Sequence, residues 1–266
     1  DPKIHAVVLR SIQNTRLVRA SLSQQRLVQE LELAHDLQMK LLPRTEIVAP
    51  AADVAARVVP AESVGGDLYN LFRLGEDRTG VMIGDVSSHG YRAALIMALV
   101  MSASAIHAQG SSDPGAMLGA LLGTLREELA TTEMFVSTFY GVIDRRAGTL
   151  RYANAGHPHA YHVRADGSCE RLPALDPPLG MVEQTPGART RPWAAGTDLL
   201  LLFTDGVSDA RDRFGTRFGE QPIVQTVVRS RAEPPAEILS RVFAELAEHT
   251  GSAVQRDDLA VMIVRS

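Results

Sequence analysis

The chain has 266 residues, 45% hydrophobic and 22% charged, with a net charge of -4 and one cysteine. This is ordinary globular composition with material for a sizeable core, and its acidic balance argues against the basic stripe of a nucleic-acid surface. Cys169 alone cannot close an intramolecular disulfide, so a disulfide scaffold is excluded and a cytoplasmic setting is expected.

The chain opens at Asp1, in mid-pattern and without a leader segment, so a sensory or regulatory domain is expected upstream. Leu17, Ala20, Gln24, Leu27, Leu31, Ala34, Gln38 and Leu41 recur at alternating steps of three and four, which is a heptad seam. Residues 1–43 are therefore expected to form a helical linker that ends at Pro43 and serves as a coiled-coil homodimer element. The alternative is a helix whose apolar stripe packs on its own domain. Gln24 and Gln38 suit a zipper that can rearrange.

Beyond residue 50 the heptad gives way to short apolar runs, and one domain is expected over residues 51–266. Strands are predicted at Val54–Pro60, Asp67–Leu74 and Gly80–Val86, followed by helices at Tyr91–Ala108 and Pro114–Ala130, the second capped by Asp113. Phe135–Asp144 and Thr149–Ala155 read as a hairpin. Tyr161–Val163 and Cys169–Leu172 read as another, around Asp166-Gly167. Leu175–Pro192 reads as loop, Asp198–Thr204 as a buried strand, Glu220–Arg229 and Pro235–His249 as helices, and Leu259–Val264 as the last strand. The longest apolar stretch, Ala93–Met101, falls short of the roughly 20 residues of a membrane-spanning helix, so no span is expected. Hairpin-linked strands with paired helices indicate an α+β layered sandwich.

Four aspartates stand where apolar strands end: Asp67, Asp85, Asp205 and Asp257. An unpaired buried carboxylate costs several kcal/mol, or takes up a proton, so a cation is expected among them. Without a histidine and cysteine cluster, oxygen ligation points to a hard divalent ion such as Mg2+ or Mn2+. Each aspartate alone would read as a turn or cap residue.

Five ordered motifs resemble the bacterial SpoIIE-type phosphatases of the protein phosphatase 2C (PPM) class. They are Val64-Gly65-Gly66-Asp67-Leu68-Tyr69, Gly84-Asp85-Val86-Ser87-Ser88-His89-Gly90, Asn154-Ala155-Gly156-His157-Pro158, Thr204-Asp205-Gly206-Val207 and Asp257-Asp258-Leu259-Ala260. The resemblance implies an αββα sandwich, two central antiparallel sheets between helix pairs, with two Mn2+ or Mg2+ ions at one end. It implies Asp85 as the carboxylate shared by both ions, the Val86 carbonyl as a further ligand, and Asp67, Asp205 and Asp257 completing the shell. Asp209 is implied as an accessory metal contact and Asp258 as a structural hydrogen-bonding residue.

The implied activity is hydrolysis of phosphoserine or phosphothreonine on a protein, commonly an anti-sigma-factor antagonist, by water activated between metals and without a phosphoenzyme. Asp85, Asp67 and His89 are the catalytic candidates. His89 is weighed as general acid against simple packing at a helix start, His157 as structural or substrate-facing, and Arg211, Arg213 and Arg217 as phosphate contacts against a solvated face. Cys169 carries no phosphatase signature. Two departures from the family pattern are Ser88, where glycine is usual before the histidine, and Asn70, where an acid often follows the tyrosine. They favour, as alternatives, low activity or a regulatory binding module without turnover; a phosphohydrolase of nucleotides or small phosphates is a third reading.

Overall fold

Every second residue of the strands faces one layer and the next faces another, and this alternation stacks the molecule. In the computed structural model, which describes Ser21, residues 24–26 and residues 28–266, the chain divides into residues 1–40 and 41–266. Residues 28–41 are helical and form α1, with Leu33, Leu37 and Leu41 exposed at four-residue spacing. Of the expected seam, Leu17, Ala20 and Leu27 lie outside the described residues.

The unit from residue 41 onward takes in residues 41–50 as well as the expected domain, because Leu42 and Val48, the latter in a 3-10 turn at Thr45–Val48, pack into its core. Its first sheet comprises β1 (Asp53–Val59), β10 (Leu259–Arg265), β9 (Leu199–Phe203), β6 (His159–Val163) and β7 (Cys169–Arg171), in that spatial order. The second comprises β2 (Leu68–Arg73), β3 (Arg78–Val86), β4 (Val136–Asp144), β5 (Thr149–Ala155) and β8 (Arg189–Pro192). All paired strands are antiparallel.

Strand β9 shows why the layers form. Leu200 and Leu202 join Met262 and Val264 of β10 in a cluster that reaches Val81, Ile83, Phe139 and Tyr152 of the other sheet. The alternate residues Leu199, Leu201 and Phe203 face outward onto Ile223 and Val227 of α5 (Glu220–Arg229) and Ile238, Val242 and Leu246 of α6 (Pro235–Thr250). With both faces covered, an unbroken apolar run is what such a strand requires. The outer face of the second sheet, including Met82, Tyr140 and Val142, packs on α2 (Gly90–Gly110) and α3 (Pro114–Thr132) through Met97, Leu118, Leu121 and Leu125. The expected αββα sandwich is therefore the observed architecture, and Asp113 caps α3, its Oδ1 accepting from the Ala116 amide at 2.9 Å.

Three local expectations change. Leu175–Pro192 is not all loop, since Arg189–Pro192 forms β8 and pairs with β5. This short polar edge strand has no apolar alternation to announce it, and a proline is tolerated at its end. The second hairpin turns through Arg164–Ser168 with Gly167 alone at positive φ (86°), the Gly167 amide bonding to the Arg164 carbonyl at 2.9 Å. Finally, α2 is longer and more apolar than the stretch Ala93–Met101 suggested, enough by length and composition to cross a membrane. Its Ala93, Met97 and Val100 are instead spent on the core, while Tyr91, Leu95, Leu99 and Ile106 stand exposed.

Candidate metal centre

The four strand-end aspartates come together, two from each sheet. Asp67 immediately precedes β2 and Asp85 is the penultimate residue of β3, while Asp205 opens the short helix α4 (Asp205–Asp209) after β9 and Asp257 lies two residues before β10. Antiparallel pairing sets Leu68 opposite Gly84, which brings Asp67 beside Asp85. Asp67 is buried, Asp85 half-buried, and Asp205 and Asp257 are exposed, so the cluster has a closed floor and an open mouth.

The electrostatics follow from that placement. Burial, and then the charges of Asp205, Asp257 and Asp258, push the Asp85 carboxyl up to about 8. Asp67 is held well above the usual carboxylate range by burial and by Asp85, with a hydrogen bond from Thr204 opposing. Asp257 is raised by burial, against an opposing bond from the Asp258 amide. Among the described residues no lysine or arginine pairs with any of these four carboxylates.

Two hydrogen-bonding residues fasten the floor. Thr204 Oγ1 donates to Asp67 Oδ2 at 2.6 Å and accepts from the Ala260 amide at 3.0 Å, linking the sheets. Asp258 accepts from the Ala61 amide at 2.8 Å and the Gly66 amide at 2.7 Å, so it serves the structural role expected of it. Gly66 is required for close approach, since a Cβ there would lie 2.9 Å from the Val86 carbonyl oxygen. That carbonyl therefore reaches the loop that carries Asp67. Sequence reasoning passed over Thr204, although a hydroxyl closing a strand of leucines and phenylalanine was a usable signal.

All-oxygen donors of net negative charge, without a protein cation, fit a hard divalent ion. No three acidic or histidine side chains among the described residues already close around one point. Like charges hold such oxygens apart until a cation offsets them.

The remaining candidates are placed differently. Asp209 stands at the far end of α4, its Oδ1 3.1 Å from Arg217 Nη1, and its charge does not contribute to the raised carboxyls of Asp67, Asp85 and Asp257. His89 precedes α2 at the rim, strongly exposed, 3.4 Å from Glu62 and near enough to favour the charged form of Asp257. His157 is fully buried, which holds its pKa down at about 3, and cannot face a substrate. Its backbone instead closes a turn with Asn154, whose Oδ1 accepts from the His157 amide at 2.8 Å. Arg211 donates to the Gly215 carbonyl, Arg213 lies over the Phe214 ring and Arg217 pairs with Asp209, so all three are used within their own loop.

One further network bears on the site. Ser208 Oγ of α4 donates to the Asp205 carbonyl at 3.1 Å and lies 3.0 Å from His159 Nε2. His159 Nδ1 is 3.2 Å from Glu220 of α5, which also accepts from Tyr161. With its proton given to the Asp205 carbonyl, the Ser208 oxygen accepts from His159 Nε2, and this pair moors the helix that begins with Asp205.

Facing five-stranded antiparallel sheets between helix pairs, with carboxylates converging from both at one end, define a PP2C-type phosphatase domain. The SiaA-PP2C domain of Pseudomonas aeruginosa superimposes with a TM-score of 0.80 at 27% identity, over 92% of this chain and 98% of that one. The family model for Stage II sporulation protein E (SpoIIE) matches residues 75–266, and the chain belongs to that family. It is 29% identical over 262 residues to Protein IcfG of Synechocystis sp., covering 88% of this chain but 41% of IcfG. It is 26% identical over 244 residues to phosphoserine phosphatase RsbU of Bacillus subtilis, covering 91% of this chain and 71% of RsbU. The chain thus spans less than half the length of IcfG.

Proposed function

We propose that this chain is a metal-dependent protein serine/threonine phosphatase whose substrate is a phosphorylated anti-sigma-factor antagonist in a partner-switching pathway. The observation that carries the reading is the convergence of Asp67, Asp85, Asp205 and Asp257 without a protein cation among the described residues. The name of RsbU supports phosphoserine as the substrate class, and the motif resemblance supports the pathway.

Asp67, Asp85, Asp205, Asp257 and the Val86 carbonyl would hold two divalent cations, Mn2+ or Mg2+. Bound there, such ions supply an acidified water and neutralise charge for in-line attack on phosphorus. The chain does the rest. Thr204 and Asp258 hold the carboxylates and their loops in register, the exposed side chains of Asp205 and Asp257 leave the mouth open to a phosphoprotein, and His89 at the rim hands a proton to the departing serine or threonine oxygen.

The test is phosphate release from a phosphoserine peptide by the purified chain with Mn2+. Asp85→Asn is expected to lower the rate by at least about a hundredfold, as loss of a shared ligand should; equal rates would overturn the assignment. Ser88, with φ at 86°, favours the alternative of a binding module without turnover. Tight Mn2+ binding by calorimetry with no phosphate release would select it.

The reading includes a cytoplasmic setting, an upstream regulatory domain, and pairing of two chains through residues 1–43, supported by the heptad seam and by the exposure of its last member, Leu41. A sedimentation mass of two chains, falling to one when residues 1–40 are removed, is the expected outcome; an unchanged mass would remove the pairing.

A further inference from the structure

Beside the carboxylate cluster, sharing Asp257 with it and bordered by Gly206 next to Asp205, lies a cavity of about 420 Å3. One side of it is apolar, formed by Val59 from β1, Phe243 and Leu246 from α6, and Leu259 from the start of β10, and the other is polar. Leu246 and Leu259 belong to the core between the first sheet and its helices, with Val59 and Phe243 packed against it, so the cavity is a notch in that core. Val254 stands at its lip with 84% of its surface exposed.

The notch is built in advance. Gln255 Nε2 donates to the carbonyls of Val59 and Asp257 at 2.8 and 2.9 Å, tying the lip to β1. The Arg57 guanidinium lies 4.8 Å from the centre of the Phe243 ring and fixes that wall. Two arginines and two aspartates border the opening, with Asp209 paired to Arg217 outside it and Asp257 belonging to the cluster. Arg211 is engaged with the Gly215 carbonyl at 2.7 Å, whereas no hydrogen bond or ion pair holds the Arg256 side chain among the described residues.

We propose that this cavity is a specificity subsite for the phosphoprotein, which takes an apolar side chain close in sequence to the phosphorylated residue while Arg256 meets negative charge on the same segment. This rests on the phosphatase reading above. The volume lies toward the lower end of the range for ligand pockets, roughly 300 to 1,000 Å3, which gives room for a leucine-sized side chain together with its neighbours on an extended segment. Continuity chooses the occupant: a chain whose phosphate lies among the aspartates passes over Asp257 directly into the notch. Charge agrees, because a phosphorylated segment approaching four carboxylates gains from an uncommitted cation at the entrance. The negative group that meets Arg256 is either the phosphate itself or a neighbouring carboxylate.

The experiment compares kcat/KM, with Mn2+ present, for phosphoserine peptides that differ by leucine or alanine at a flanking position, each made with and without an adjacent glutamate. The leucine peptides should be preferred by about tenfold or more, the usual discrimination of a hydrophobic pocket. Ala247→Trp, which fills the notch from α6, should erase that preference. Val254→Asp, a change at an exposed lip position, should do the same without burdening the fold. Arg256→Ala should slow every peptide if it meets the phosphate, and only the glutamate peptides if it meets the carboxylate. Equal wild-type rates on leucine and alanine peptides, or a preference that survives both cavity variants, would overturn the subsite while leaving the phosphatase standing. An Arg256→Ala enzyme unchanged on every peptide would overturn the role of that arginine. Failure to hydrolyse any peptide or small phosphate ester would overturn both readings.

Discussion

At position 88 the backbone demands what the side chain resists. Ser88 sits at φ 86°, a left-handed conformation that costs an L residue about 1 to 2 kcal/mol, two residues past the end of β3, which carries Asp85 and Val86. Ser88→Gly should therefore stabilise the protein by about 1 kcal/mol, read as a higher denaturant midpoint, and lower the Mn2+ concentration needed for half-maximal activity. An unchanged midpoint would show that the loop stores no strain. The sequence revealed this residue as a departure from the family pattern, because a missing glycine is visible in one dimension. Asn70, the other departure, carried a meaning the sequence could not show. Its side chain bonds to the Met101 carbonyl and Ser104 Oγ of α2, some thirty residues away in the chain, and so belongs to packing. A buried amide gives no linear sign of its partner.

At the level of elements, the fold was legible wherever burial was two-sided or strictly alternating, as in β9, β10 and β4, and faded where an element was short and polar, as in β8. The acidic turn after β9 is in fact the helix α4, and what holds it was not readable, since His159, Ser208 and Glu220 come from three separate elements. The link from His159 Nε2 to Ser208 and on to the Asp205 carbonyl makes His159 a positioning residue for one carboxylate of the centre. His159→Ala should raise the Mn2+ concentration for half-maximal activity by about tenfold, as removal of a ligand's supporting partner commonly does, while kcat at saturating Mn2+ stays within a factor of about two. A fall in kcat with unchanged metal dependence would assign His159 elsewhere.

For the whole molecule, the buried carboxylates tie stability to pH in an unusual direction. With its pKa raised to about 8, Asp85 keeps a proton in the folded state that it loses on unfolding, so its contribution diminishes as pH rises toward that value. Buried His157, held at about 3, acts oppositely, but only below the ordinary histidine pKa of about 6.5. Between about pH 6.5 and 8 the carboxylates dominate, and the metal-free protein should melt at progressively lower temperature as pH increases. Millimolar Mg2+ or Mn2+ should flatten that slope, and a slope indifferent to the cation would separate the cluster from metal binding. Because the cluster draws two of its aspartates from either ply of the sandwich, whatever they grip together is a rivet through both. An input that makes one ply slip along the other, applied anywhere on the molecule, therefore reaches the reacting phosphate without approaching it.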